Sequence, residues 1–99
     1  QIVRKVDTKG IITTFAGTLG SSGYDGDGGL ATDAKFNSPQ GLAMNNEREI
    51  LIADAYNNVI RKVDKNGIIS TIVSRLAYPI DVSVGRDGEL FMLNRTSFE

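Results

Sequence analysis

Ninety-nine residues permit one small domain, in which folding buries only about two-thirds of the unfolded chain's surface. The balance of 40% hydrophobic and 23% charged residues is that of a folding globular chain and excludes low-hydrophobicity disorder. Eleven basic against 12 acidic residues, a formal charge of -1, offer no general attraction for a phosphate backbone or an anionic membrane, so neither is an expected partner.

There is no cysteine, which rules out disulfides and thiolate metal sites, and no histidine, the commonest metal ligand and general base. These absences argue against an enzyme and against a bound metal or cofactor. No apolar run approaches the ~20 residues a membrane helix needs. The first residue is Gln1, which reads as a processed form or an excerpt of something longer. The compartment expected is extracellular or the cell surface, although cysteine usage cannot report it.

In chain order, Ile2 to Val6 is a short β-rich run ending in Asp7-Thr8-Lys9-Gly10, where a tight turn wants a residue tolerant of positive φ. Ile11 to Ala16 is the returning strand, so the first 16 residues predict a hairpin. From Gly17 to Ser38, glycines at 17, 20, 23, 26, 28 and 29 recur too often for strand or helix, and a long loop is expected. Its second half, Leu30 to Phe36, suggests one or two helical turns tucking Leu30, Ala34 and Phe36 against a core.

Pro39 to Met44 begins a third strand, Asn45 to Glu49 is polar turn, and Ile50-Leu51-Ile52-Ala53 is an unbroken apolar strand of the kind buried on both faces. Asp54 to Asn58 turns the chain into strand Val59 to Val63, turn Asp64 to Gly67 and strand Ile68 to Val73. A link at 74–78 leads to Pro79–Val84 and Glu89–Asn94.

Two passages repeat. Arg61-Lys62-Val63-Asp64 answers Arg4-Lys5-Val6-Asp7, and Gly67-Ile68-Ile69-Ser70-Thr71 answers Gly10-Ile11-Ile12-Thr13-Thr14. Pro79 to Val84 answers Pro39 to Met44, with Glu89 following Pro79 at the spacing by which Glu49 follows Pro39. Writing the strands of one unit as a to d, the chain runs c-d, a-b-c-d, a-b, with a period of roughly 40 residues. A four-stranded unit of that length is the signature of a β-propeller blade.

SPQGLAMNNEREILIADAYNNVIRKVDKNGIISTI resembles the NHL repeat, whose pattern opens on proline and glycine and continues as "aD..N..I.k.d..G". Asp54, Asn57, Ile60, Arg61, Lys62, Val63, Asp64 and Gly67 stand in those places, and Asn58 stands where the family has its histidine. The segment GDGG-x-A-x-x-A within the long loop is similar to a bridge between blades found in the same family. The resemblance implies an all-β fold, a β-propeller of NHL type usually closed by six blades, and a binding role. It implies no single partner, because the family includes protein-binding, RNA-binding and a few enzymatic members.

The expected organisation is a half blade over 1–16 (strands c and d), a glycine-rich insertion over 17–38, a complete blade over 39–74 and a half blade over 75–99 (strands a and b). Alone, such a piece should expose apolar flanks built from Leu42, Ile50, Ile52, Ile60, Ile69 and Ile72. The two half blades are complementary. One copy's C-terminus can complete a blade with the next copy's N-terminus, a head-to-tail contact giving a ring of three copies or an open filament. Alternatively, neighbouring blades of a longer parent chain close the propeller.

Up-and-down strand order puts the 17–38 insertion and the 54–58 connection on one face. Tyr24, Asp25, Asp27, Asp54, Tyr56, Asn57, Asn58, Asn94 and Arg95 should gather there as a binding surface for a protein or glycan. Asp25-Gly26-Asp27-Gly28-Gly29 starts like a calcium loop, but Gly29 and Phe36 stand where the EF-hand spacing needs oxygen ligands. A turn with capping aspartates is the simpler reading. Asp54 and Asn57 read as satisfying local backbone groups. The Arg-Lys pairs at 4-5 and 61-62 read as solvated strand charges and not as a stripe for RNA, since alternation points only one of each pair outward and acidic residues balance them. Asn94-Arg95-Thr96 meets the glycosylation rule in an expected loop, should the chain be secreted.

The reading is therefore a non-enzymatic propeller module for binding or self-assembly. The alternative weighed is a fragment of a lyase- or lactonase-like propeller enzyme with a metal in its central channel.

Overall fold

A computed structural model describes residues 1–95. Among them are eight strands: β1 (Ile2–Val6), β2 (Ile12–Gly17), β3 (Pro39–Met44), β4 (Ile50–Asp54), β5 (Val59–Val63), β6 (Ile69–Val73), β7 (Pro79–Val84) and β8 (Leu90–Asn94). They form three antiparallel sheets of two, four and two strands: β1-β2, β3-β4-β5-β6 and β7-β8. This is the half, whole, half arrangement that the repeat predicts, and with it a partial propeller. No helix among the described residues is long and apolar enough to cross a membrane.

The repeat extends to irregularities that no pattern of apolar residues discloses. The c-d pairing carries a bulge at Val3/Arg4 and again at Ile60/Arg61, and the a-b pairing is irregular at Pro39/Gly41 and again at Pro79/Asp81. The c-d turns are built alike. Asp7 Oδ1 accepts from the amides of Lys9 and Ile11, Asp64 Oδ1 from those of Asn66 and Ile68, and Gly10 (φ +85°) and Gly67 (φ +78°) supply the left-handed residue.

Successive side chains of a strand point to opposite faces, and both faces of the complete blade are covered. On one, Ile52, Val63 and Ile69 pack with Val3 and Ala16 of the N-terminal hairpin and with Ala31, Ala34 and Phe36 of the insertion. On the other, Leu51, Ala53 and Ile60 pack with Val82, Val84, Leu90 and Met92 of the C-terminal hairpin. Gly41 allows a close backbone approach on this side, since a Cβ there would stand 2.7 Å from the Cα of Asp81.

These contacts correct the expected list of bare flank residues. Ile52, Ile60 and Ile69 are sealed between neighbours, and Ile50 is half-buried, whereas Leu42 and Ile72 are exposed. The half blades do the covering that a lone blade would lack. Leu30 also departs from expectation. The insertion contains one 3-10 turn, Ala31–Asp33, that buries Ala31 while Leu30 stays exposed, bridged only through its backbone to Ile68.

Candidate functional site

The insertion is bound down along its length by backbone hydrogen bonds. Gly28 N donates to Ile69 O (2.7 Å), Ile69 N to Gly29 O (3.0 Å) and Ala31 N to Gly67 O (2.8 Å), so the loop extends the outer edge of β6. Further on, Tyr56 N donates to Asn37 O (3.0 Å), joining the insertion to the 3-10 turn Ala55–Asn57 that follows β4. The two connections thus meet on one face, as strand order requires.

At their junction lies Arg61, a residue that the sequence presents as a solvated strand charge. One of the pair does point outward, the partly exposed Lys62, but Arg61 is not solvated: it is wholly buried. The register explains the difference. Arg61 lies opposite Ile52 and therefore shares the face that the insertion covers. Its Nη1 donates to Lys35 O (2.6 Å) and lies 3.4 Å from Asp54 Oδ2, and its Nη2 donates to Asp25 O (2.9 Å) and Asp27 Oδ1 (2.9 Å). The guanidinium is also 5.1 Å from the ring centroids of both Tyr24 and Phe36. Only Nε, among the buried side-chain polar atoms described, has no hydrogen-bond partner.

The carboxylates have correspondingly internal roles. Asp54, fully buried, accepts from Asn37 N (2.8 Å) and from Asn57 Nδ2 (2.8 Å), and Asn57 Nδ2 also reaches Gly23 O (2.9 Å). Burial pushes the Asp54 carboxyl above its ordinary value, against the opposing pull of the Asn57 and Asn37 hydrogen bonds and of the Arg61 charge. Asp27 bridges Arg61 to Thr71 Oγ1 (2.5 Å), which lies 2.7 Å from Tyr24 Oη. Asp25 alone of the pair caps a turn amide, that of Gly26 (2.8 Å). Asp54 and Asn57 satisfy backbone groups of the insertion, where the sequence suggested those of their own turn.

The remaining candidates form a second group around Tyr78, which the sequence reading overlooks. Its ring is 5.1 Å from that of Tyr56 and 5.5 Å from the Arg95 guanidinium carbon, and its amide donates to Asn58 Oδ1 (3.0 Å). Asn58 holds a left-handed conformation (φ 60°), which asparagine tolerates well. Tyr56 is exposed, and this group is the more accessible of the two. Asn94 closes β8 opposite Pro79 and is not in a loop, while Thr96 of the glycosylation triplet lies outside the described residues. Among the described residues, no three His, Cys, Asp or Glu side chains are placed to hold a metal ion.

Comparison with known proteins adds family evidence. Residues 19–81 match the model of the Teneurin NHL domain. Teneurin-m of Drosophila melanogaster is 43% identical over 54 residues, covering 54% of this chain and 2% of that protein. Protein SUPPRESSOR OF QUENCHING 1, chloroplastic, of Arabidopsis thaliana is 38% identical over 79 residues, covering 77% of this chain and 8% of that protein. A crystal structure of a structural genomics protein from Bacteroides thetaiotaomicron superposes with a TM-score of 0.77 at 24% identity, over 94% of this chain and 27% of that one. The chain thus spans a small part of each of these relatives.

Proposed function

The chain belongs to the NHL-repeat family, and on that premise we propose that it is a non-enzymatic propeller module whose two half blades are completed from outside. The observation that carries this reading is the 2-4-2 division of the strands, in which the missing a-b pair at the N-terminus is the pair surplus at the C-terminus. Ends of this kind join head to tail between copies, three copies giving six blades if the ring closes and a filament if it does not, or join neighbouring blades of a longer parent chain. The module then presents the face carrying the insertion and the Tyr56–Tyr78–Arg95 group to a protein or glycan. An extracellular or cell-surface setting belongs to the same proposal, and localisation of a tagged parent protein checks it.

Solution mass tests closure between copies. Sedimentation equilibrium of the 99-residue chain is expected to give three chain masses, or a concentration-dependent polymer. A stable folded monomer across the accessible concentration range overturns it.

A further inference from the structure

Leu42 and Met44 on β3, and Phe91 and Leu93 on β8, are exposed by 52, 55, 58 and 60%. Each pair alternates along its strand and so shares one face. The faces are opposite in sense. Leu42 lies opposite Ile52, on the side of the complete blade that the N-terminal hairpin and insertion cover over β4, β5 and β6 while Leu42 and Met44 of β3 stay exposed. Phe91 and Leu93 alternate with Leu90 and Met92, which pack on the complete blade, and so point away from it.

We infer that these surfaces fit each other between two copies: β8 of one copy pairs with β1 of the next in a single register, and this sets Phe91 and Leu93 against Leu42 and Met44 of the receiving copy. The inference rests on the head-to-tail reading above and specifies its contacts.

The register follows from a joint that the chain already contains. β4 pairs with β5 as Ile50↔Val63, Leu51↔Lys62, Ile52↔Arg61, Ala53↔Ile60 and Asp54↔Val59. By the repeat, β8 stands for β4 and β1 for β5, which gives Leu90↔Val6, Phe91↔Lys5, Met92↔Arg4, Leu93↔Val3 and Asn94↔Ile2. Charge agrees with this alignment. Lys62 Nζ lies 3.6 Å from Glu49 Oε1 within the complete blade, and the same register brings Lys5 of the next copy to Glu89. Space agrees as well. A cleft of ≈ 240 Å³ lies between β1 and β3, bordered by Ile2, Val3, Gln40 and Leu42, at the corner where β8 would enter. A slip of one residue would turn Phe91 and Leu93 away from Leu42 and Met44.

Disulfide trapping tests the register, because the chain has no cysteine of its own and facing antiparallel residues fall within disulfide reach. Lys5→Cys with Phe91→Cys in one chain replaces two exposed residues, and air oxidation is expected to give a ladder or a closed covalent trimer on a non-reducing gel. Lys5→Cys with Leu90→Cys, one residue out of register, is expected to stay largely uncrosslinked, and Val3→Cys with Leu93→Cys provides a second in-register pair. Assembly by mass with crosslinking only in the shifted pair, or in none, overturns the register and leaves head-to-tail closure standing. A monomeric wild-type chain overturns both.

Discussion

Arg4 and Arg61 occupy the same place in two copies of one repeat, on the third strand of a blade and directly after a bulge, yet Arg4 is exposed and Arg61 is sealed from water. Their strands are alike, and so are the turns that follow them. What differs is what lies over them. The insertion covers Arg61 and supplies it with two carbonyls and Asp27, while no described element lies over Arg4. The local repeat specifies strand, bulge and turn, and only the next layer decides whether a charge on that strand is solvent-facing or a central tie.

The largest test of that difference is truncation of the two arginines. Arg61→Ala leaves Asp54 and Asp27 without their cation and the insertion without its anchor. Breaking a buried pair in this way costs about 3–5 kcal/mol, read as a shift in the denaturant midpoint together with faster amide exchange over 17–38. Arg4→Ala should change stability by no more than about 0.5 kcal/mol at concentrations where the chain is unassembled. Equal losses in the two variants would contradict the tie.

Glycines sharpen the same contrast. At Gly26 (φ +102°) a Cβ would stand 2.7 Å from the Cα of Ala34, inside the fold of the insertion that closes over Arg61. At Gly10 (φ +85°) it would meet nothing within 4 Å. Gly10→Ala therefore costs only the left-handed backbone, about 1–2 kcal/mol, and Gly26→Ala adds overpacking for about 2–4 kcal/mol together. Thermal unfolding of both variants checks the order.

The strand plan was legible because it rests on local chemistry: β-branched runs, Asp-x-x-Gly turns, and prolines at matching distances. The meeting of the 17–38 and 54–58 connections was legible too, since strand order alone requires it. The role of Arg61 was not, because an arginine between Ile60 and Lys62 has the same kinds of neighbour, a β-branched residue and a lysine, as Arg4 between Val3 and Lys5. Its sign lay in register, through Ile52 opposite it, and in the Asp-Gly-Asp-Gly-Gly run, which reads as a turn until the cation it encloses is placed. Tyr78 was missed because it sits in a short link that pattern analysis passes over. The bare-flank list failed at Ile52, Ile60 and Ile69 because it treated the complete blade as if its half-blade neighbours were absent.

A third difference between the copies lies at Asp54, whose place in the C-terminal half blade is taken by Asn94. Burial holds the Asp54 carboxyl above its ordinary 3.8. Its ionisation therefore opposes folding, so its contribution to stability is greatest below pH 3.8 and declines as pH rises through the raised folded value. Unfolding free energies of the wild type and Asp54→Asn between pH 3 and 7 should show the wild type losing ground to the variant across that window and running parallel above it. A wild type that gains on the variant as pH rises would place the Arg61 charge above burial in setting this carboxyl.

The smallest effect concerns the lysines beside the two arginines. Lys62 lies 3.6 Å from Glu49 with both side chains partly exposed, and pairs of this kind contribute about 0.2–1 kcal/mol. Lys5, at the matching place, is exposed, and within one chain Glu89 belongs to the opposite half blade. Lys62→Ala should thus lower stability slightly and independently of protein concentration, whereas Lys5→Ala should leave a dilute, unassembled chain unchanged. If β8 pairs with β1 of the next copy, Lys5→Ala acquires a cost similar to that of Lys62→Ala once the chain assembles, and adding salt should reduce both. A concentration series of unfolding curves for the two variants separates an ion pair made within a blade from one made by joining two halves.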